Sequence, residues 1–181
     1  MSSGRWHRVP KSWRGARPAL LEVARAGPVK SRRAAARALG LIGLDEPSLQ
    51  LLTTMLGDGD YTVRADAARG LGSGGVAGLP VLLARLDVER DPFVVRTIVQ
   101  AMGELRVRAS GEALVARLEH CIAVADDEGE WAAQAALQRL TATRGVRSAA
   151  AWRDLVETMP EASGSDTRST PRPATTKDRD G

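Results

Sequence analysis

Only one cysteine, Cys121, occurs in 181 residues, so no internal disulfide framework holds this chain together and a reducing compartment suits it. The residue falls inside the apolar-periodic run from Ala113 to Val124, where a small core hydrophobe is the expected role. Aromatic residues make up just 3% of the chain, too few for a shaped, aromatic-lined pocket. Histidine is equally sparse: His7 and His120 do not cluster with cysteines at metal-ligand spacing, and neither a metal nor another cofactor is expected. Also missing are a Ser/His/Asp or Cys/His set and a phosphate-cradling glycine loop, which argues against an enzyme. Nothing approaches the roughly 20 uncharged apolar residues of a membrane span. At the N-terminus, Arg14, Arg17 and Glu22 interrupt any run of signal-peptide length. Ser31-Arg32-Arg33 before AAARALGLIGL resembles a twin-arginine export signal, but Arg37 breaks its apolar stretch, and the expected location is the cytoplasm.

What the chain does have is leucine, alanine and valine within a hydrophobic share of 43%, enough for one domain with a core. Alanine and leucine head the intrinsic helix scale, so composition alone points to an all-α fold. That composition is periodic. SRRAAARALG (31–40), VRADAARGLG (63–72), VVRTIVQAMG (94–103) and a degenerate GEWAAQAALQ (129–138) share a polar start, paired small residues and a common ending. Each follows a Leu-rich segment: PALLEVA (18–24), LQLLTTML (49–56), LPVLLARL (79–86) and EALVARL (112–118). The unit is therefore a pair of helices, a Leu-rich first and an Ala-rich second, and stacking is what buries their apolar faces.

Local signals fit that unit. Pro18 and Pro80 fall in the first turns of first helices, where a missing N–H costs little. Asp58, Asp60 and Asp91, with Gly59 and Pro92, are expected to form the turns and caps that start second helices. Gly40, Gly72 and Gly103 read as left-handed stops at the ends of second helices. Ala35/Ala36, Ala67/Ala68 and Ala135/Ala136 would let neighbouring helices approach closely.

Asp-Gly-Asp-Tyr-Thr-Val-Arg-Ala-Asp-Ala-Ala-Arg-Gly-Leu-Gly (58–72) and Gly78-Leu-Pro-Val-Leu-Leu-Ala-Arg-Leu86 resemble bacterial HEAT-repeat proteins of the short-repeat, phycobilisome-lyase-related group. The likeness extends over about residues 15 to 158, and Ala-Leu-Gln-Arg-Leu-Thr (136–141) followed by Trp152-Arg153 is similar to the closing turn of such proteins. It implies a right-handed α-solenoid of about four HEAT-like helix pairs plus a closing helix. Repeats are expected over 15–43, 47–75, 76–106 and 109–143, with the closing helix over 147–159. A basic arm, 1–14, would precede them and a disordered tail, 161–181, would follow. Trp131 and Trp152 are assigned to the core or cap of the closing end.

Charge is unevenly placed. Residues 1–40 hold ten Lys/Arg against Glu22 alone, whereas 41–160 hold 12 basic and 17 acidic residues. Arg5, Trp6, Arg8, Lys11, Trp13, Arg14 and Arg17 form a candidate arm for nucleic acid or another anionic surface, or else a cap over the first repeat. The family resemblance further implies that second helices line a concave face. There the outward positions are Arg33, Arg37, Arg64, Arg69, Arg96, Gln100, Glu130 and Gln134. Arg64 follows Asp58 and Asp60, and Arg96 follows Asp91, so both are expected to pair between repeats in a ladder. Arg33, Arg37 and Arg69 show no such partner and are the stronger binding candidates. The leading expectation is a non-catalytic scaffold for another protein with an acidic segment. Nucleic-acid binding through the basic quarter is the alternative, including a remote DNA glycosylase-like version. A bilin lyase-like or chaperone role follows only from the lyase relatives.

Overall fold

In the computed structural model, residues 15–159 and 161 are described. The expected arm residues Arg5, Trp6, Arg8, Lys11, Trp13 and Arg14, and nearly all of the expected tail, lie outside them. Nine α-helices and one short 3-10 turn account for the regular structure of the described residues, with no strand among them. They are α1 (Arg17–Ala26), α2 (Val29–Leu41), α3 (Glu46–Met55), α4 (Tyr61–Gly74), α5 (Leu79–Val88), α6 (Pro92–Glu104), α7 (Arg108–Ala123), α8 (Asp127–Thr141) and α9 (Ala149–Glu157). The fold is an all-α solenoid.

Five of the nine described helices start where a side chain meets orphan backbone N–H groups. Asp45, Asp60, Asp91, Asp126 and Ser148 each accept a first-turn N–H, the Asp91 carboxylate taking two, from Phe93 and Val94 at 3.0 and 3.2 Å. Pro18 and Pro80 stand in the first turns of α1 and α5. Asp58 shapes the turn before α4 by accepting the Asp60 N–H at 2.9 Å, and it also takes up Arg32 from the preceding repeat.

Helices α2, α4, α6 and α8 pack one on the next in a continuous row, and α1, α3, α5 and α7 lean on that row. α9 packs chiefly against α7. The core runs along the seam between the rows, with Leu39, Leu52, Leu71, Leu82, Ile98, Met102, Leu114, Leu118 and Leu137 all fully buried. Cys121 is buried with them, and burial raises its thiol pKa. Trp152 of α9 is 1% exposed and seals the end of this core. Trp131 does not: it stands 64% exposed on α8, because Ala132, Ala133 and Ala136 take the inward positions of that helix.

The tight row explains the glycines, and here the expectation of left-handed stops fails. Gly72 lies inside α4, and a Cβ on it would come within 2.7 Å of the Ala101 Cβ and 2.8 Å of its carbonyl oxygen. Gly40 is likewise helical and closes on the Gly70 backbone, while Gly103 closes on that of Ala136. These glycines let backbones touch across the row, which a side chain of any size would prevent. The left-handed conformation appears beyond the helices, at Gly43, Gly75 and Gly145, and also at Arg106, Ala125 and Ala142.

Candidate partner-binding surface

Two arginines at the same place in successive second helices hold the stack together. Arg32 of α2 grips Asp58 through Nε and Nη2 at 3.1 and 3.0 Å. Thirty-two residues on, Arg64 of α4 grips Glu89 at 3.0 and 3.3 Å. Arg64 was expected to pair between repeats, but its carboxylate partner is Glu89 of the next unit. From the preceding turn it takes only main-chain carbonyl oxygens, that of Asp58 at 2.9 Å. Glu89 also accepts Arg85 Nε at 3.0 Å and the backbone N–H groups of Arg90 and Asp91, both at 3.0 Å. Burial alone would raise the carboxyl pKa. These donors outweigh it and lower the value to about 2. Arg64 is therefore structural.

Arg33, Arg37 and Arg69 do have a partner, and it is one that their spacing along the chain conceals. All three converge on Asp66, whose side chain is fully buried in α4. Arg33 Nε donates to Oδ2 at 2.8 Å and Arg69 Nη1 to Oδ1 at 2.7 Å, while Arg37 Nε stands 4.0 Å away. The guanidinium-bearing side chains nonetheless remain 36%, 54% and 40% exposed for Arg33, Arg37 and Arg69. Three positive charges thus share one negative charge at a surface, with the carboxylate on the protein side. Corresponding places in the neighbouring repeats hold Ala34 and Thr97, so an acid at a small-residue position of the repeat was the signal that sequence reading passed over.

The charge continues across the row. The Arg69 and Arg96 guanidinium carbons lie 5.6 and 5.7 Å from the Phe93 ring centroid, and Tyr61 meets the same ring edge-on at 5.8 Å. Arg96 then pairs with Glu128 on α8 at 2.5 Å, the repeat-to-repeat contact expected of it, though not with an acid of its own turn. Gln134 donates to Glu130 at 2.9 Å within α8. A groove of about 190 Å³ crosses α2, α4 and α6 beside this chain of contacts, lined by Arg37, Leu41, Arg69, Ser73, Gln100 and Glu104 among others. Arg33, Arg37, Arg69, Arg96 and Gln100 are thereby brought onto one surface. Arg17, assigned to the arm, is not part of it. As the first residue of α1 it is spent on Asp45 at 2.5 Å and on the Ser48 hydroxyl at 3.0 Å.

Among the described residues, no group of three or more His, Cys, Asp or Glu could hold a metal ion. Nor, among them, is any helix long and apolar enough to cross a membrane.

The model for HEAT repeats matches residues 17–103 and again 50–152, so its two matches overlap along the row just described. The chain belongs to the HEAT-repeat family. No curated protein shows significant similarity to it. The family accounts for the paired helices and their stacking, and says nothing of what the arginine cluster on Asp66 does, since fold does not dictate function.

Proposed function

We propose that this HEAT-repeat protein is a non-catalytic scaffold that grips an acidic protein segment along the exposed side of its second helices, centred on Arg33, Arg37 and Arg69. The observation carrying this reading is the buried carboxylate of Asp66, which holds guanidinium groups in place while their outer donors face water. A long cationic side chain normally loses rotamer freedom on binding, and one already anchored loses less. Leu41, 54% exposed in the adjoining groove, supplies apolar contact beside the charges.

Structural duties decide which side chains can test the idea. Reversing Arg33 or Arg69 would set a second carboxylate against buried Asp66 and threaten the fold. Arg37 makes no hydrogen bond to Asp66, so Arg37→Gln combined with Gln100→Ala removes binding groups and spares the stack. Against an array of Asp/Glu-rich peptides, the wild type should bind with affinity that falls steeply with salt. The double variant should bind about ten-fold more weakly, the equivalent of roughly 1.4 kcal/mol, at an unchanged melting temperature. Equal binding of the matching Asn/Gln peptides would sink the proposal. A duplex DNA of mixed sequence, run in parallel, asks whether any anion suffices.

A further inference from the structure

The ladder of arginines that ties one repeat to the next stops before the end of the row. Asp58 and Glu89, its acceptors, each sit two residues before the aspartate that caps the next second helix, Asp60 and Asp91. At the third step both halves of the rung are apolar: Val95 occupies the place of Arg32 and Arg64, and Val124 the place two residues before the cap Asp126. A cavity of about 310 Å³ opens there between α6, α7 and α8, with Pro92, Val95, Val99 and Ala132 on its apolar side. A second, of about 550 Å³, continues from it and shares Arg90, Val95 and Arg117.

The cations at this cleft are incompletely used. Arg117 lines both cavities, and its Nε is buried without a hydrogen-bond acceptor, while its Nη2 lies 3.5 Å from Asp126. The terminal nitrogens of Arg117, whose side chain is 24% exposed, hold only that long contact and are open to an incoming acceptor. Arg90 donates to main-chain carbonyl oxygens, those of Asp87 and Glu89 at 3.3 and 3.2 Å. The two acids of the smaller cavity are already occupied: Asp126 Oδ1 caps α8 through the Gly129 N–H at 2.9 Å, and Glu128 holds Arg96. They still repel a dianion. The lining therefore favours a single negative charge carried on a compact aliphatic body.

We infer that this cleft is a second binding site, separate from the Asp66 cluster, for a monocarboxylate with a short aliphatic group. The carboxylate replaces the missing ladder acid and accepts from Arg117 and Arg90, and the aliphatic part lies on Val95 and Val99. A free organic acid and the carboxyl terminus of a partner ending in an aliphatic residue offer the same chemistry.

Amide NMR of the full chain tests it with N-acetyl-leucine, N-acetyl-leucinamide and inorganic phosphate as probes. The acid should shift the Val95, Gly129 and Ala132 amides saturably, with a Kd of about a millimolar for so small a probe. The amide should not. Arg117→Met should weaken binding at least about ten-fold, as expected for loss of a buried charge-assisted contact. Val124→Glu, which supplies the missing ladder acid from an exposed position, should abolish binding while keeping the fold, and so covers the case in which Arg117→Met unfolds. A tighter fit for a tetrapeptide ending in leucine than for N-acetyl-leucine assigns the ligand to a chain terminus; equal or weaker binding assigns it to a free acid. Equal shifts with acid and amide, saturation by phosphate at lower concentration, or no saturable shift at about 10 mM would each overturn the inference.

Discussion

Glu89→Gln is the substitution in which sequence, packing and electrostatics of this solenoid can be tested together. The wild-type carboxylate is 5% exposed and receives Arg64, Arg85 and two backbone N–H groups at the junction of α4, α5 and α6. Its pKa is lowered from 4.5 to about 2. A folded-state pKa below the unfolded one means stability that is fully present above about pH 4.5 and lost as pH falls toward about 2. Two and a half pH units correspond to about 3 kcal/mol at neutral pH, of which about 1 kcal/mol survives at pH 3.

Glutamine keeps the shape and loses the charge. Its amide nitrogen must also face an arginine or a backbone N–H, so the variant sacrifices the electrostatic gain and creates a donor–donor clash. Urea unfolding, followed by far-UV circular dichroism at pH 7, should show a loss of about 3 kcal/mol, or about 1.5 M in midpoint for a slope near 2 kcal/mol/M. At pH 3 the gap between wild type and variant should shrink to about 1 kcal/mol. A loss under about 1 kcal/mol at pH 7, or a gap that does not change with pH, would refute the claim that Glu89 is a charged keystone.

Two further substitutions probe the row and its ends. Gly72→Ala should destabilise by about 1–2 kcal/mol despite alanine's better helix propensity, because the new Cβ meets Ala101 backbone rather than a movable side chain. Gly59→Ala, where a Cβ meets nothing within 4 Å, serves as the near-neutral control in the same melts. Ala142→Gly should stabilise by about 0.5 kcal/mol and raise the melting temperature by a degree or two, since Ala142 holds φ at 57° after α8. A loss there would mean that the alanine side chain matters more than its backbone.

How far the sequence carries depends on whether a residue acts within its own repeat or across one. Helix pairs, caps at Asp60 and Asp91, and prolines at the starts of α1 and α5 are local events, readable from a few neighbouring letters. Gly72 and Gly40 looked local and are not: their reason is the neighbouring second helix, which a linear reading places some 30 residues away. Asp66 failed for the same cause. Along the chain it stands next to Arg64 and Arg69, yet two of the three arginines around it, Arg33 and Arg37, come from the preceding repeat. Trp131, expected in the core or cap of the closing end, stands outside because the small alanines of α8 claim the inward face.

That division also separates the arginines that lock the stack from those proposed to meet a partner. Arg32 and Arg64 reach forward, C-terminally, to acids in the next inter-helix turn, and both are largely buried, 21% and 14% exposed at the side chain. Arg33 and Arg37 reach sideways to an acid on the adjacent second helix, where Arg69 joins them from the same helix, and all three stay much more open. The forward set locks each repeat onto the next, so losing it loosens the stack. The sideways set adds little that a single guanidinium could not supply, since one carboxylate needs one counter-charge. Holding three there leaves an excess of two positive charges on a surface whose geometry is fixed by a buried atom. Such an excess repels itself, and an acidic segment of the kind proposed above would relieve that repulsion on binding.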